Sequence, residues 1–392
     1  MKSYIFFCST INDVGGAQLY VRAKSAYLKE HGWNVKIVYY LGGSLLINEF
    51  SQYESIKIPE IHLPSYYFLG FIRNSVLRRI KKFTGKIDEE SVIESHSLSL
   101  TTWAEYIAKD CKVKHLVYNI DETPRCRPEM FDYYKFKLDR NELCGILEQS
   151  ISNFFEGFKV SLSEKQTFLR AYGASKSVLD VDYPVPFESK ECYNIGFVGR
   201  LDKEYIHNTI DQVSLFLNKY KKSKFRLIFV GGERNGDSIK KELMLKYGNI
   251  PNVKTFFTGY IFPIPLSLVN TFDIAISGAG AAIQIKRCGI KTITIDPRDM
   301  QPNGVLGVTT NTTVFSLEKK CGDTLFELLE KVYLHPEEYK IDSVSDSIYE
   351  FDTHIERITQ MSSDKQYNID YEKNMSIMLF LKKILSIIYV VH

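Results

Sequence analysis

The feature that most constrains this chain is a pattern that begins twice. Lys2-Ser-Tyr-Ile-Phe-Phe-Cys-Ser-Thr10 is a short apolar run that breaks into Ile11-Asn-Asp-Val-Gly-Gly16, and a helical repeat follows. In mid-chain Asn194-Ile-Gly-Phe-Val198 does the same, ending on Gly199-Arg200 before another helical repeat. A buried strand, a glycine loop and a helix open an α/β unit, and glycine lets the loop backbone approach a ligand. Two openings predict two doubly wound halves facing a cleft, with ligands at the carboxyl ends of the strands.

At 392 residues the chain exceeds one ordinary core, so two domains are expected. A formal net charge of +3 gives no basis for a nucleic-acid partner. The seven cysteines are scattered, odd in number and without a Cys-x-x-Cys, which argues against zinc and disulfides and fits a reducing cytoplasm. The apolar run at residues 4–8 is too short for a signal peptide, and no uninterrupted apolar run reaches the roughly 18 residues of a spanning helix.

Leu19, Ala23, Ala26 and Tyr27 recur at helical spacing, Gly32 stops that helix, and residues 34–40 form the next strand. Further strands are expected at 91–95, 114–119 and 158–163, with a helix through Ala108 after the first and one through Tyr172 after the last. Two prolines mark Tyr183-Pro-Val-Pro-Phe-Glu-Ser-Lys190 as a linker. Beyond it, strands at 194–198, 226–230, 253–257, 273–277 and 292–295 alternate with helices, and helices near 322–333 and 346–362 close the body. The alternation is that of mostly parallel sheets. It divides the chain into a first domain at 1–185, a second at 190–345 and a closing segment at 346–392 that returns to the first.

In these segments the chain resembles the GT-B glycosyltransferases of family four. Val14-Gly-Gly-Ala-Gln-Leu-Tyr-Val-Arg22 through Val38 looks like that family's glycine loop, helix and second strand, and residues 160–173 are similar to the close of its first domain. Phe197-Val-Gly-Arg-Leu201, Val230-Gly-Gly232, Asn252-Val253, Thr258-Gly259 and Cys288-Gly289 follow the order of its donor domain. The family's paired glutamates fall here on Gln284 and on Ile276 or Ser277, its lysine after the arginine on Tyr205, and its histidine after the strand at 114–118 on Asn119. The resemblance implies a GT-B fold of two Rossmann-like domains and transfer of a sugar with retention of configuration. It also implies that the leaving phosphate takes the acceptor's proton, with no protein nucleophile, no metal and no cofactor beyond the nucleotide-sugar substrate.

Such a transfer needs fixed cations and N–H groups around a leaving diphosphate. Arg200, just past a strand, has the planar fork for a phosphate, and Lys203 is a second cation. Gly278, Ala279 and Gly280 put small residues at a helix start, and Gln284 one turn on can bond a ribose. Gly15 and Gly16 can offer N–H groups from the other half. Gly231, Gly259 and Tyr260 can shape the nucleoside pocket. For the catalytic face the candidates are His96, Asn119, Asp121 and Glu122, all just after strands, where a carboxylate can orient an acceptor hydroxyl.

Two segments point to a membrane. Leu69, Ile72, Val76, Ile80 and Phe83 recur at helical spacing within 66–87, among Arg73, Arg78, Arg79, Lys81 and Lys82. A basic amphipathic helix of this kind lies on an anionic surface or packs on the sheet with its basic face solvated. The apolar tail at 375–391 is broken by Lys382-Lys383, which favours docking on the protein over spanning. The function expected is transfer from a nucleotide sugar to a polysaccharide or lipid-linked acceptor at the inner face of the membrane. The alternatives are a non-catalytic GT-B subunit or a sugar-nucleotide epimerase.

Overall fold

A computed structural model describes residues 2–43, 45–121, 125–147, 149–162, 167–171, 176–187, 191–233, 236–315, 322–341 and 350–370. Glu122 and the apolar tail lie outside them. The chain divides into two compact units, Met1–Ala174 with Ile348–His392, and Ser175–Ser347.

The first unit runs β1 (Ser3–Cys8), α1 (Gly16–Glu30), β2 (Asn34–Tyr39), β3 (Glu54–Lys57), α2 (Gly70–Thr84), β4 (Val92–Ser95), α3 (Leu98–Cys111), β5 (Lys114–Asn119), α4 (Phe131–Asp139), β6 (Leu143–Gly145) and α5 (Ser150–Phe154). Its strands pair in parallel in the order β3-β2-β1-β4-β5-β6. Every residue of β1 and β4 is buried, as a central parallel strand covered on both faces requires. One face packs Ile5, Phe7, Ile93, Trp103 and Ile107 with Val76, Leu77 and Ile80 of α2.

The second unit runs β7 (Val178–Leu179), β8 (Tyr193–Val198), α6 (Glu204–Lys219), β9 (Phe225–Val230), α7 (Ser238–Gly248), β10 (Val253–Phe257), β11 (Ile264–Pro265), α8 (Leu266–Val269), β12 (Ile274–Ser277), α9 (Ala279–Arg287), β13 (Thr292–Ile295), β14 (Pro302–Val305) and α10 (Leu325–Leu334). Its main sheet has the order β10-β9-β8-β12-β13-β14, parallel except for the antiparallel edge strand β14. Phe197, Phe229 and Phe257 stack across three neighbouring strands with centroids 4.7 Å apart at each step. Burying such a ring contributes about 1.5–3 kcal/mol. The last helix, α11 (Glu350–Gln360), belongs to the first unit, where His354 and Arg357 are buried.

Two expectations are corrected. Residues 158–162 form no strand: Phe158 stacks on Phe131 (4.6 Å, 9°), and Val160 and Leu162 pack on the same cluster instead of pairing. The sixth strand is Leu143–Gly145, too short for its alternation to be read. Nor is there helix over 167–171, where Phe168 bridges to Gly145. The expected linker at 183–190 carries no helix or strand over its described residues 183–187, and β7, which precedes it, pairs with β11 of the second unit. On α2 the apolar positions divide: Val76 and Ile80 are buried, while Leu69 and Ile72 are exposed beside Phe71. Among the described residues no helix is long and apolar enough to cross a membrane.

Candidate functional site

In each unit the strand order reverses once, between β1 and β4 in the first and between β8 and β12 in the second. Loops leaving neighbouring strands at such a point diverge and open a crevice at the carboxyl ends, where open α/β sheets bind ligands.

At the second unit's switch point stand Arg200, after β8, and Gly278, after β12; Ser277 Oγ donates to Val198 O at 2.8 Å and ties the two strand ends together. Among the described residues Arg200 Nη1 is buried without a partner, while its Nε lies 3.4 Å from Asp202. Gln284, on the second turn of α9, is buried, and its Nε2 has no partner among the same residues. Gly278 is the N-cap of α9. The N–H of Ala279 is already spent on Thr313 O (3.0 Å), in a left-handed conformation (φ 52°) rare for alanine. This narrows the expected cradle of small residues: Gly280 and Ala281 supply the N–H groups that a helix start leaves unsatisfied. Lys203 is exposed, at the N-cap of α6.

Beside the switch point, β9 ends on Gly231, which bridges to Gly259. Gly231 has φ 140°, and a Cβ there would collide with the Gly199 carbonyl oxygen, so only glycine fits. A Cβ on Gly232 would run into the ring of Tyr260. The structure therefore brings together Arg200, Gly231, Gly259, Tyr260, Gly278, Ala279, Gly280 and Gln284 at the carboxyl ends of β8, β9, β10 and β12. A larger cavity of about 520 Å³ opens at the amino ends, beside Asn194 and Asp273, away from these loops.

At the first unit's switch point, Gly15 caps α1 and His96 follows β4. A Cβ on Gly16 would meet nothing within 4 Å and its φ is not left-handed, so the turn itself does not demand glycine there. His96 is buried against Glu94, with Nε2 2.8 Å from Oε1. Glu94 also takes Tyr20 Oη at 2.8 Å, and its other oxygen takes Tyr4 Oη and Lys24 Nζ, both at 2.5 Å. Burial alone would raise the Glu94 carboxyl, but the Lys24 ammonium and the His96 hydrogen bond hold it well below the usual carboxylate range. Lys24 Nζ further contacts His354 Nδ1 at 3.2 Å, and the His354 Nε2–H donates to Arg170 O at 3.0 Å. Burial and the nearby ammonium lower the His354 pKa to about 3, so its ring is neutral.

Asn119 ends β5 with Nδ2 buried and without a partner among the described residues, and with Asp121 it lines a cavity of about 180 Å³ that Arg125 and Arg127 also edge. Desolvation raises the Asp121 carboxyl and the charge of His96 partly opposes that; the Asp121 charge in turn raises Tyr40, which burial raises more. Sequence reasoning assigned no role to Lys24, Glu94, Tyr4 or Tyr20. The available signal was Glu94 itself, an acid inside an otherwise fully buried strand, where a charge requires a partner.

The basic positions of α2 have neighbours within the unit. Arg73 lies over Tyr106 at 5.3 Å, Arg79 reaches Glu60 at 2.5 Å and Lys81 pairs with Asp110. Arg78 donates to Asn74 O from an exposed position, and Lys82 is exposed. Among the described residues, His335, Glu337 and Glu338 lie close enough to share a cation, and all three are exposed.

No protein-family model matches the sequence, and no curated protein matches it. Solved structures do match in shape. A glycosyltransferase from Rickettsia africae superposes with a TM-score of 0.59 at 16% identity, over 98% of this chain and 97% of that one. Sucrose-phosphate synthase from Thermosynechococcus elongatus gives 0.55 at 13% identity, covering 100% of both chains. The UDP-GlcNAc 2-epimerase of Neisseria meningitidis, solved with UDP-GlcNAc, gives 0.51 at 13% identity over 92% of this chain and 100% of that one. The chain has the GT-B fold: two doubly wound, parallel-sheet units of the kind seen in these glycosyltransferases and epimerases.

Proposed function

We propose that this protein is a glycosyltransferase that binds a nucleotide-diphosphate sugar at the second unit's switch point and passes a hexosyl group to a glycan hydroxyl. One observation carries the reading: two buried nitrogen donors, Arg200 Nη1 after β8 and Gln284 Nε2 on α9 after the neighbouring β12, have no partner among the described residues, and α9 begins at Ala279 with the N–H groups of its first turn. Unspent buried donors suit an anion or a polyol, and together they match a diphosphate joined to a ribose. Gly231, Gly259 and Tyr260 shape the place for the nucleoside, and Lys203 is close enough in sequence to Arg200 to support the phosphates. At the first unit's own switch point, Gly15 and Gly16 offer N–H groups suited to a phosphate or a sugar hydroxyl. No metal or further cofactor enters this reading, because the arginine and the helix start meet the leaving diphosphate's charge. The family-four resemblance supports retention of configuration, with the acceptor's proton passing to the leaving phosphate. Asn119, Asp121 and His96 are the candidates for contacting sugar or acceptor.

The acceptor we assign is a polysaccharide or lipid-linked oligosaccharide handled on the cytoplasmic side of the membrane. The exposed Leu69, Phe71 and Ile72 beside the basic residues of α2 support a peripheral contact. Calorimetric titration with UDP-, GDP- and dTDP-sugars tests the donor site. One of them is expected to bind, and Arg200→Ala to weaken it about ten- to a hundredfold, the worth of a charge-assisted hydrogen bond. Absence of binding by every nucleotide, or an unchanged affinity in the variant, rejects the reading. A sugar-nucleotide epimerase is the second reading, favoured by the match to a 2-epimerase; conversion of the donor sugar without acceptor would establish it. A non-catalytic subunit is the third, motivated by Gln284, Tyr205 and Asn119 where the resembled family carries ionisable side chains.

A further inference from the structure

The first unit's cavity of about 180 Å³ is lined by hydrogen-bond donors from three segments of the chain. We propose that it is a subsite for an anionic sugar, in which Arg125, Arg127, Asn119 and the start of α3 hold the carboxylate or phosphate and Asp121 takes a ring hydroxyl. The proposal rests on the reading above and deepens it, since it makes the glycan acceptor a charged one.

Ser97 and Leu98, at the start of α3, both line the cavity. The Ser97 side chain does not cap the helix, and the first backbone bond along it runs from the Thr101 N–H to Ser97 O. The N–H groups of the first turn therefore have no acceptor within the helix, and such a start favours negative charge. Asn119, 5% exposed, lines the same cavity, and its Nδ2 has no partner among the described residues. A buried amide nitrogen left unmatched carries a desolvation cost that an accepting ligand atom removes. Arg125 and Arg127 bring two guanidinium groups to this lining, and their other contacts are loose. Arg125 Nη2 lies 3.5 Å from Glu156 Oε2 with both side chains exposed, and Arg127 Nη1 donates to Tyr67 Oη at 3.4 Å. An exposed pair is worth little, so both forks can turn to an oxyanion and grip it with two parallel bonds. The lining holds one carboxylate, Asp121, whose charge burial disfavours. An oxyanion satisfies the donors but offers Asp121 nothing, whereas a hydroxyl on the same ring donates to it. Tyr134 and Phe154, edge to face at 4.7 Å, supply the apolar part of the wall. Pockets for drug-sized ligands run to roughly 300–1,000 Å³, so this smaller one suits a single sugar residue and not a whole nucleotide sugar. A uronic acid and a sugar phosphate share the chemistry selected.

The test titrates the full-length chain at low ionic strength with glucuronate, glucose 6-phosphate and methyl α-glucoside. An anionic sugar is expected to bind at least about tenfold more tightly than the neutral one, and the tighter of the two identifies the oxyanion. Changing both Arg125→Gln and Arg127→Gln, at exposed positions, should weaken the anionic sugar about a hundredfold and leave UDP, GDP or dTDP affinity as it was. Arg200→Ala should leave the anionic sugar unaffected, which separates this cavity from the place of the donor's phosphates. Failure of both anionic sugars to bind, equal affinity for charged and neutral sugars, or an affinity that survives the double change overturns the subsite. Nucleotide binding with no preference for an anionic sugar leaves the donor reading standing without it. Arginine-dependent binding of an anionic sugar, with no nucleotide bound by the protein, does the converse.

Discussion

The two units share a topology and differ in what lies beneath it. Six-stranded sheets with one reversal of order stand in both, and candidate residues gather at the same place in each. Under the first switch point lies an ionic assembly: Lys24 and Glu94 fully buried, His96 and His354 against them, and a second group of Glu105, His115 and Lys137 nearby in the same unit. Under the second lies a stack of phenylalanines, and the unspent donors sit in the loops above it. The same backbone thus supports two strategies. The first unit fixes the direction of hydrogen-bonding groups through charge pairs; the second holds a cation and N–H groups over a rigid apolar platform.

The largest effects should come from breaking the first strategy. Lys24→Met leaves Glu94 buried without its counter-ion, and removing one partner of a buried pair costs about 3–5 kcal/mol. Guanidinium unfolding should show that loss, and the companion change Glu94→Gln should recover a good part of it. A loss below about 1 kcal/mol would mean that the pair reaches solvent and orients nothing.

Acid should separate the units. Burial, with the Lys24 and Lys137 ammonium groups, lowers His354 to about 3 and His115 to about 4. The unfolded chain, near the ordinary 6.5, binds protons over the interval where the folded chain does not, so stability falls as pH drops below about 6.5. At pH 5 each histidine costs about 2 kcal/mol relative to neutral pH. Glu94 and Glu105 add to the loss only below the ordinary carboxylate pKa, because their folded values are depressed. Asp273 of the second unit is raised by burial, so it binds its proton more readily when folded and gains relative stability as pH falls. Hydrogen exchange at pH 7 and pH 5, corrected for intrinsic rates, should show β1, β4 and β5 losing protection before β8, β9 and β12. Equal losses would erase the distinction.

The sequence made the apolar half of this contrast plain and hid the polar half. Strands such as Phe225–Val230 and Ile274–Ser277 contain the apolar runs Leu227–Val230 and Ile274–Ile276 near turn residues, and such runs are legible because burial alone dictates them. The glycine loops were legible because glycine beside a strand end is itself the signal of a tight turn, although the contact that makes Gly231 obligatory, with the Gly199 carbonyl, was not. The ionic assembly was not, because Lys24, Glu94 and His354 are far apart in sequence: Lys24 and His354 alone resemble surface residues, and Glu94 alone, though out of place in a buried strand, does not name its partner. The failed strand at 158–162 belongs with them: its alternation was real, but tertiary packing against Phe131 used it differently.

The smallest effect is the most discriminating for the second strategy, because its sign carries the information. Gln284 presents an unpartnered Nε2 at the second switch point, where the resembled family carries a glutamate. Gln284→Glu exchanges that donor for an acceptor-only carboxylate without changing length. Against ribose hydroxyls, which can donate, the carboxylate makes the stronger bond by about 1 kcal/mol, so the bound nucleotide should tighten about fivefold. Against a diphosphate the same carboxylate repels, and affinity should fall by at least as much. Proposing Gln284 for the ribose and Arg200 for the phosphates requires the first outcome. Titration of the variant with a nucleoside diphosphate and with the corresponding nucleoside settles which holds. Tightening for both ligands places Gln284 beside the ribose, whereas weakening confined to the diphosphate moves it beside Arg200 and leaves the sugar hydroxyls to other groups.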